Sequence, residues 1–142
     1  MIDDAEIQAV ETANAALYDA FERADVDSMA QVWVDGALAP RAWCVHPGSA
    51  PVVGRDAVLR SWTLLMANTA YIQFVLTGVT VSVDGDHAVV TCTENILTAH
   101  SDEGDLGGGV AVATNVFVRH EGRWVLWLHH ASPVLTSEGD ES

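Results

Sequence analysis

The stretch VFVRHEGRWVLWLHHASP, residues 116–133, decides how this chain folds. Two β-branched and aromatic runs flank Glu121–Gly122, a hairpin signal. Successive strand residues face opposite sides of a sheet, so the turn assigns every side chain in both runs to a face. A type I turn with Gly122 in the left-handed region pairs Arg119 with Arg123. Thr114, Val116, Val118, Trp124, Leu126, Leu128 and His130 then share one face, almost wholly apolar and expected to be concave. Asn115, Phe117, Arg119, Arg123, Val125, Trp127 and His129 share the outer face. A two-residue turn would instead pair Arg119 with Trp124 and mix the two sets. The first register is the expectation because it segregates polar from apolar. Under it, His130 faces the interior and His129 faces out.

Upstream, YIQFVLTGVTVSV (71–83), HAVVTCTENILTA (87–99) and GVAVATNVFVRH (109–120) are long and β-branched. The triplet Asp84-Gly85-Asp86 marks a turn, and Gly78 suggests a bulge within its strand. The polar, glycine-rich residues 101–109 read as a mobile loop at one end of the sheet. Before residue 71 the periodicity is helical. Ile7, Val10, Leu17 and Phe21 space a helix over residues 3–23, with Asn14 on the same stripe. DVDSMAQVWVDG (25–36) reads as a second helix, capped by Asp25 or Asp27 and stopped by Gly36. RAWCVHPG (41–48) reads as a short strand, and residues 55–69 as a third helix with Val58, Trp62 and Leu65 inward. Helices segregated from an antiparallel meander make an α+β domain: a strongly curved sheet wrapped over helices, leaving a cone with an open mouth. One domain over residues 1–135 and an acidic tail over 136–142 are expected.

Composition narrows the function. The chain carries 20 acidic residues against six Arg and no Lys, a formal net charge of −14. That disfavours nucleic acid and anionic membranes, which attract basic patches. No apolar run reaches the ~20 residues of a membrane span. The acidic N-terminus lacks the basic and apolar regions of a signal peptide, so a cytoplasmic address is expected. Cys44 and Cys92 are too few for a disulfide framework and read as buried thiols.

The element order, GRDAVLRSW opening the third helix, and the ending VFVRHEGRWVLWLHHASP resemble the NTF2-like (SnoaL-like) superfamily. The ending is most similar to the subgroup containing the association domain of calmodulin-dependent kinase II. The resemblance implies a cone-shaped fold, an interior pocket and a dimer through the outer sheet face. It spans ketosteroid isomerases, polyketide cyclases, dehydratases and non-enzymatic assembly domains, so it does not fix the activity. In the isomerases a catalytic aspartate precedes proline at the end of the short strand; aligned through DVDSMAQVWVDGA, His46–Pro47 falls there. The isomerase's first-helix tyrosine lies one place from Tyr18.

The expected site follows from register. On the strand 87–99, Glu94 is the single acidic residue amid an apolar pattern, and alternation places it inward with Cys92. A buried carboxylate needs a partner or a raised pKa, and His130 is the partner the first register supplies. His46, Glu94 and His130 are the catalytic candidates, with His46 as general base. Asn14, Tyr18, Trp43, Trp62, Cys92, Thr114 and Leu128 are the candidate ligand-binding lining. No metal and no cofactor is expected: the spacing matches no metal motif, and adjacent strand histidines diverge. The expected ligand is a small hydrophobic or carbonyl-bearing molecule, with isomerase, cyclase or dehydratase chemistry. The alternative is a non-catalytic assembly or ligand-binding domain. Asn115, Phe117, Val125, Trp127 and His129 are the expected homodimer face.

Overall fold

The structure, a computed structural model, describes residues 4–99 and 106–135. The expected acidic tail and most of the expected glycine-rich loop lie outside them. Helix α1 (Asp4–Glu22) buries Val10, Asn14, Leu17, Tyr18, Ala20 and Phe21, one continuous stripe at helical spacing. Each large apolar member contributes ~1.5–3 kcal/mol by leaving water. Helix α2 (Val26–Val32) is capped by Asp25, whose carboxylate accepts the Ser28 N–H at 3.0 Å. It ends earlier than the expected stop: Trp33 is already extended and bridges Leu126, and a 3-10 segment occupies Gly36–Arg41. Strands β1 (Trp43–Val45) and β2 (Val52–Val53) form a small antiparallel pair before helix α3 (Arg55–Ala67).

The meander comprises β3 (Tyr71–Asp84), β4 (His87–Ala99), β5 (Leu106–His120) and β6 (Arg123–Pro133). The sheet order is β2-β1-β6-β5-β4-β3, with β1 parallel to β6 and the other pairings antiparallel. The sheet is curved and unclosed, and α1 lies on its concave side. Its irregularities fall at Gly78, whose φ of +61° sits inside a register shift between Thr77 and Thr80, and near Trp127. Four residues of the expected loop belong to β5, and glycine is required there: a Cβ at Gly108 would collide with the Ile96 carbonyl.

The hairpin joining β5 to β6 overturns the expected register. His120 pairs with Arg123 and Arg119 with Trp124, so the turn has two residues, Glu121 and Gly122. Both have positive φ, 53° and 77°, which is the type I′ geometry that matches strand twist. Arg119 therefore points to the helix side, pairing with Glu6 of α1 and covering the Trp124 ring at 5.0 Å. Trp124 and Leu126 face inward as expected. A bulge then intervenes: Phe117 pairs with Leu126, but Val116 pairs with Leu128. The extra residue, Trp127, exchanges the faces of everything beyond it. His129 is 2 % exposed and interior, while His130 is exposed on the convex side.

Asn115 and Phe117, expected outside, are fully buried in the core, so with His129 they cannot form an outer interface. Val125 and Trp127 do lie on the outer side, where the chain itself buries Val125 and leaves Trp127 half-buried. The Trp127 indole donates to the Arg41 carbonyl at 3.1 Å, tying it to the 3-10 segment.

Candidate functional site

Six of the expected interior residues meet in the cone: Asn14, Tyr18, His46, Trp62, Cys92 and Glu94. Asn14 and Tyr18 lie four residues apart on the buried stripe of α1, so both reach the sheet. Cys92 and Glu94 alternate with outward-facing threonines on β4 and point at α1. His46 follows β1 on the same side as Cys44, whose Cα pairs across to His129 on β6. Four candidates are elsewhere. His130 and Thr114 pair with each other on the exposed convex face, Leu128 is half-buried there, and the Trp43 ring lies tilted against His130 with centroids 5.8 Å apart.

Two residues expected outside complete the cluster. Asn115 and His129 are cross-strand partners, and His129 Nδ1 lies 2.5 Å from Asn115 Oδ1. The Asn115 amide donates to Asn14 Oδ1 at 2.8 Å and to Tyr18 Oη at 3.2 Å. Tyr18 in turn donates to Glu94 Oε2 at 2.7 Å, with the Cys92 sulfur 3.8 Å from its hydroxyl. Five side chains, each 5 % exposed or less, thus form one hydrogen-bonded series through the core. Buried polar groups need such partners. On the far side of His129, Trp62 is edge-on to His46 with ring centroids 4.6 Å apart, and 5.6 Å from His129. His46 Nε2 lies 2.9 Å from Ser61 Oγ and 3.7 Å from the Cys44 sulfur. The Trp62 indole N–H faces Cys44 but makes no bond of hydrogen-bond length.

Asn115 interrupts an apolar strand as Glu94 does, and that was a usable signal. His129 carried none, because the bulge at Trp127 decides its side. Ser61 reads in sequence as an ordinary residue of α3.

Burial sets the protonation. It pushes the Glu94 carboxyl above the usual range, with the Tyr18 hydrogen bond pulling the other way. It raises Tyr18 further still, helped by the neighbouring Glu94. His46 is lowered by burial alone. His129 is lowered to about 3 by burial first, then by His46 and His130. Both imidazoles are therefore neutral bases at pH 7. The Cys44 thiol is pushed up to about 12 and is inert. All six arginines lie outside this cluster. Among the described residues no three His, Cys, Asp or Glu side chains converge as a metal site, and no helix is long and apolar enough to cross a membrane. A groove of about 550 Å³ lies outside the cone, between α1, α2 and the tip of the β5–β6 hairpin.

Comparison with known proteins agrees with this architecture. Residues 10–136 match the SnoaL-like domain. A crystal structure from Streptomyces avermitilis, provisionally assigned as a dehydratase of the NTF2-like family, is 48 % identical, covers 94 % of this chain and 100 % of its own, and superimposes with a TM-score of 0.90. A provisionally assigned calcium/calmodulin-dependent protein kinase type II association domain from Thiobacillus denitrificans is 32 % identical over 88 % of this chain and 94 % of its own, with a TM-score of 0.74. Among curated proteins, the F-box protein SKIP8 of Arabidopsis thaliana is 25 % identical over 92 % of this chain, which spans 52 % of that protein's length. The fold, the matched span and these likenesses agree: the chain belongs to the SnoaL-like family, within the NTF2-like superfamily.

Proposed function

We propose that the cone binds a small, hydrophobic, carbonyl-bearing molecule and moves protons on it without a cofactor, as a dehydratase or isomerase does. One observation carries this reading. Asn14, Tyr18, Glu94, Asn115 and His129 form a connected polar array where core residues belong, next to the neutral imidazole of His46. Such an array costs more to bury than an apolar core of the same volume, and that cost is characteristic of a functional site. In a dehydration, an interior imidazole removes the proton next to the carbonyl. The carbon–hydroxyl bond breaks as the double bond forms. The hydroxyl leaves as water with a proton from Glu94 or from the imidazolium. Glu94 suits the acid role because burial favours its protonated form; His46 suits the base role because burial favours its neutral form, while His129, lowered to about 3, stays neutral as a hydrogen-bonding partner. The Streptomyces relative provisionally assigned as a dehydratase supports this choice of chemistry.

The test is a panel of aromatic and aliphatic β-hydroxyketones, followed by thermal shift and by ultraviolet absorbance of the enone product. Members of the panel are expected to raise the melting temperature of the wild type. Glu94→Gln and His129→Ala are expected to lose turnover by ~10²-fold or more. A panel that neither stabilises the protein nor turns over removes the proposal.

A second reading concerns assembly. The convex face presents exposed Val75, Val89, Leu97, Val110 and Val112 between threonines, with no charged side chain among them. We propose that a second copy of the chain covers this face. The likeness to a kinase association domain supports it.

A further inference from the structure

With the Asn14 and Asn115 amides oriented as they stand and Tyr18 donating to Glu94, the hydrogen bonds around the two interior histidines define one placement of protons. Ser61 has a single hydroxyl proton, and it goes to the Val58 carbonyl at 2.7 Å. Towards His46 Nε2 its oxygen can then only accept, so Nε2 carries the imidazole proton. The Cys44 sulfur, at 3.7 Å, is the weaker partner of that nitrogen. At the other histidine, the constraint starts from Glu94. Tyr18 spends its one proton on Glu94 Oε2 and is left to accept from Asn115. Asn14 Oδ1 also accepts from Asn115. Both N–H bonds of the Asn115 amide are thereby used, and its carbonyl oxygen faces His129 Nδ1. An amide oxygen accepts only, so His129 Nδ1 carries the proton.

We infer that Ser61 and Asn115 are positioning residues which hold the two interior imidazoles in opposite neutral tautomers, leaving His46 Nδ1 and His129 Nε2 as the basic nitrogens. Its catalytic meaning rests on the function proposed above; the tautomers themselves do not. The arrangement has a second consequence. An amide does not relay a proton as a hydroxyl or carboxyl does, so Asn115 separates His129 from the Tyr18–Glu94 pair. The base and the acid stay in their own protonation states although one hydrogen-bonded series joins them. The groups that face His129 from the surrounding elements are Cys44 from β1, His46 after it, Trp62 from α3 and His130 beside it on β6. None of them offers a competing carboxylate.

The experiment is long-range ¹⁵N–¹H correlation spectroscopy of the full chain labelled at histidine nitrogen, at neutral pH and without ligand. Resonances are assigned with single His→Gln variants. His46 and His129 are each expected to show one pyrrole-type and one pyridine-type nitrogen, of opposite sense in the two rings. Ser61→Ala is expected to remove the preference at His46 and leave His129 unchanged. Asn115→Ala does the reverse. Asn115→Asp retains the acceptor: His129 keeps its Nδ1 proton and becomes imidazolium at higher pH than in the wild type. The inference is overturned if either wild-type ring shows the other tautomer or an average of both, or if Asn115→Ala leaves the His129 pattern unchanged. Should Asn115→Ala fail to fold, the wild-type spectrum and Ser61→Ala still decide it. A protein that binds no hydroxyketone yet shows these tautomers would reject the proposed chemistry and keep this inference.

Discussion

Burial moves the protonation equilibria of Glu94 and His129 in opposite directions, so they leave opposite marks on stability. Glu94 is raised on folding. The folded state holds its proton more tightly than the unfolded chain, and stability falls as pH rises through the raised value. Glu94→Gln removes this dependence. The stability of the variant relative to wild type is expected to increase from pH 4 to pH 8 in urea titrations; a flat difference would show that Glu94 is not desolvated. His129 is lowered from 6.5 to about 3. Its contribution is complete above the unfolded value and is lost as pH falls towards the folded one. By about pH 4 the wild type should have lost on the order of 3 kcal/mol that His129→Gln does not lose. Equal acid sensitivity in the two proteins would contradict a neutral, buried His129.

The element that matters most is the β5–β6 hairpin, because its two-residue turn and the bulge near Trp127 together choose which histidine is interior. Glu121 occupies a left-handed position that Asn or Gly adopts with less strain. Glu121→Asn is therefore expected to stabilise the protein by ~0.5–1 kcal/mol, and Gly122→Ala to destabilise it by ~1 kcal/mol, both read from chemical denaturation at constant slope. A destabilised Glu121→Asn would contradict the type I′ turn. The same hairpin explains what could be read from sequence. Long-range alternation made Glu94 and Cys92 legible, and helical spacing did the same for Asn14 and Tyr18, because each pattern is unbroken from end to end. Glu-Gly lacks the strong type I′ signature of Asn-Gly, and nothing in VLWLHH marks one residue as extra. A one-residue slip reverses every face beyond it. That is why alternation puts Trp124 and Leu126 on the correct face and His130, Thr114 and Leu128 on the wrong one. The helix that stopped at Val32 failed for a different reason: Trp33 gains more from pairing beside Leu126 than from another helical turn, and the Arg55 guanidinium satisfies the Ala30, Trp33 and Val34 carbonyls left behind.

At the scale of the molecule, charge and the bare sheet act against each other. A net charge of −14 repels a second copy, yet the middle of the convex face formed by β3, β4 and β5 carries none of that charge, and Asp84 stands only at its end. Val112 lies near its middle, paired with Thr93 on one side and Ser132 on the other. An uncharged, self-complementary face is a two-fold solution for an acidic chain, because the acidic residues are kept to the rim and the far side. A stable pair needs ~800 Å² from each copy. The wild type is therefore expected to sediment as a dimer at micromolar concentration. Its association should tighten with added salt, since screening weakens the repulsion between like-charged subunits and leaves apolar burial intact. Val112→Glu buries a carboxylate in the interface and is expected to give a monomer with an unchanged circular dichroism spectrum. Leu64→Glu, at an exposed leucine on α3 outside the sheet, should leave the dimer intact. A monomeric wild type, or a Val112→Glu variant that still pairs, would show that another surface, or none, carries the association.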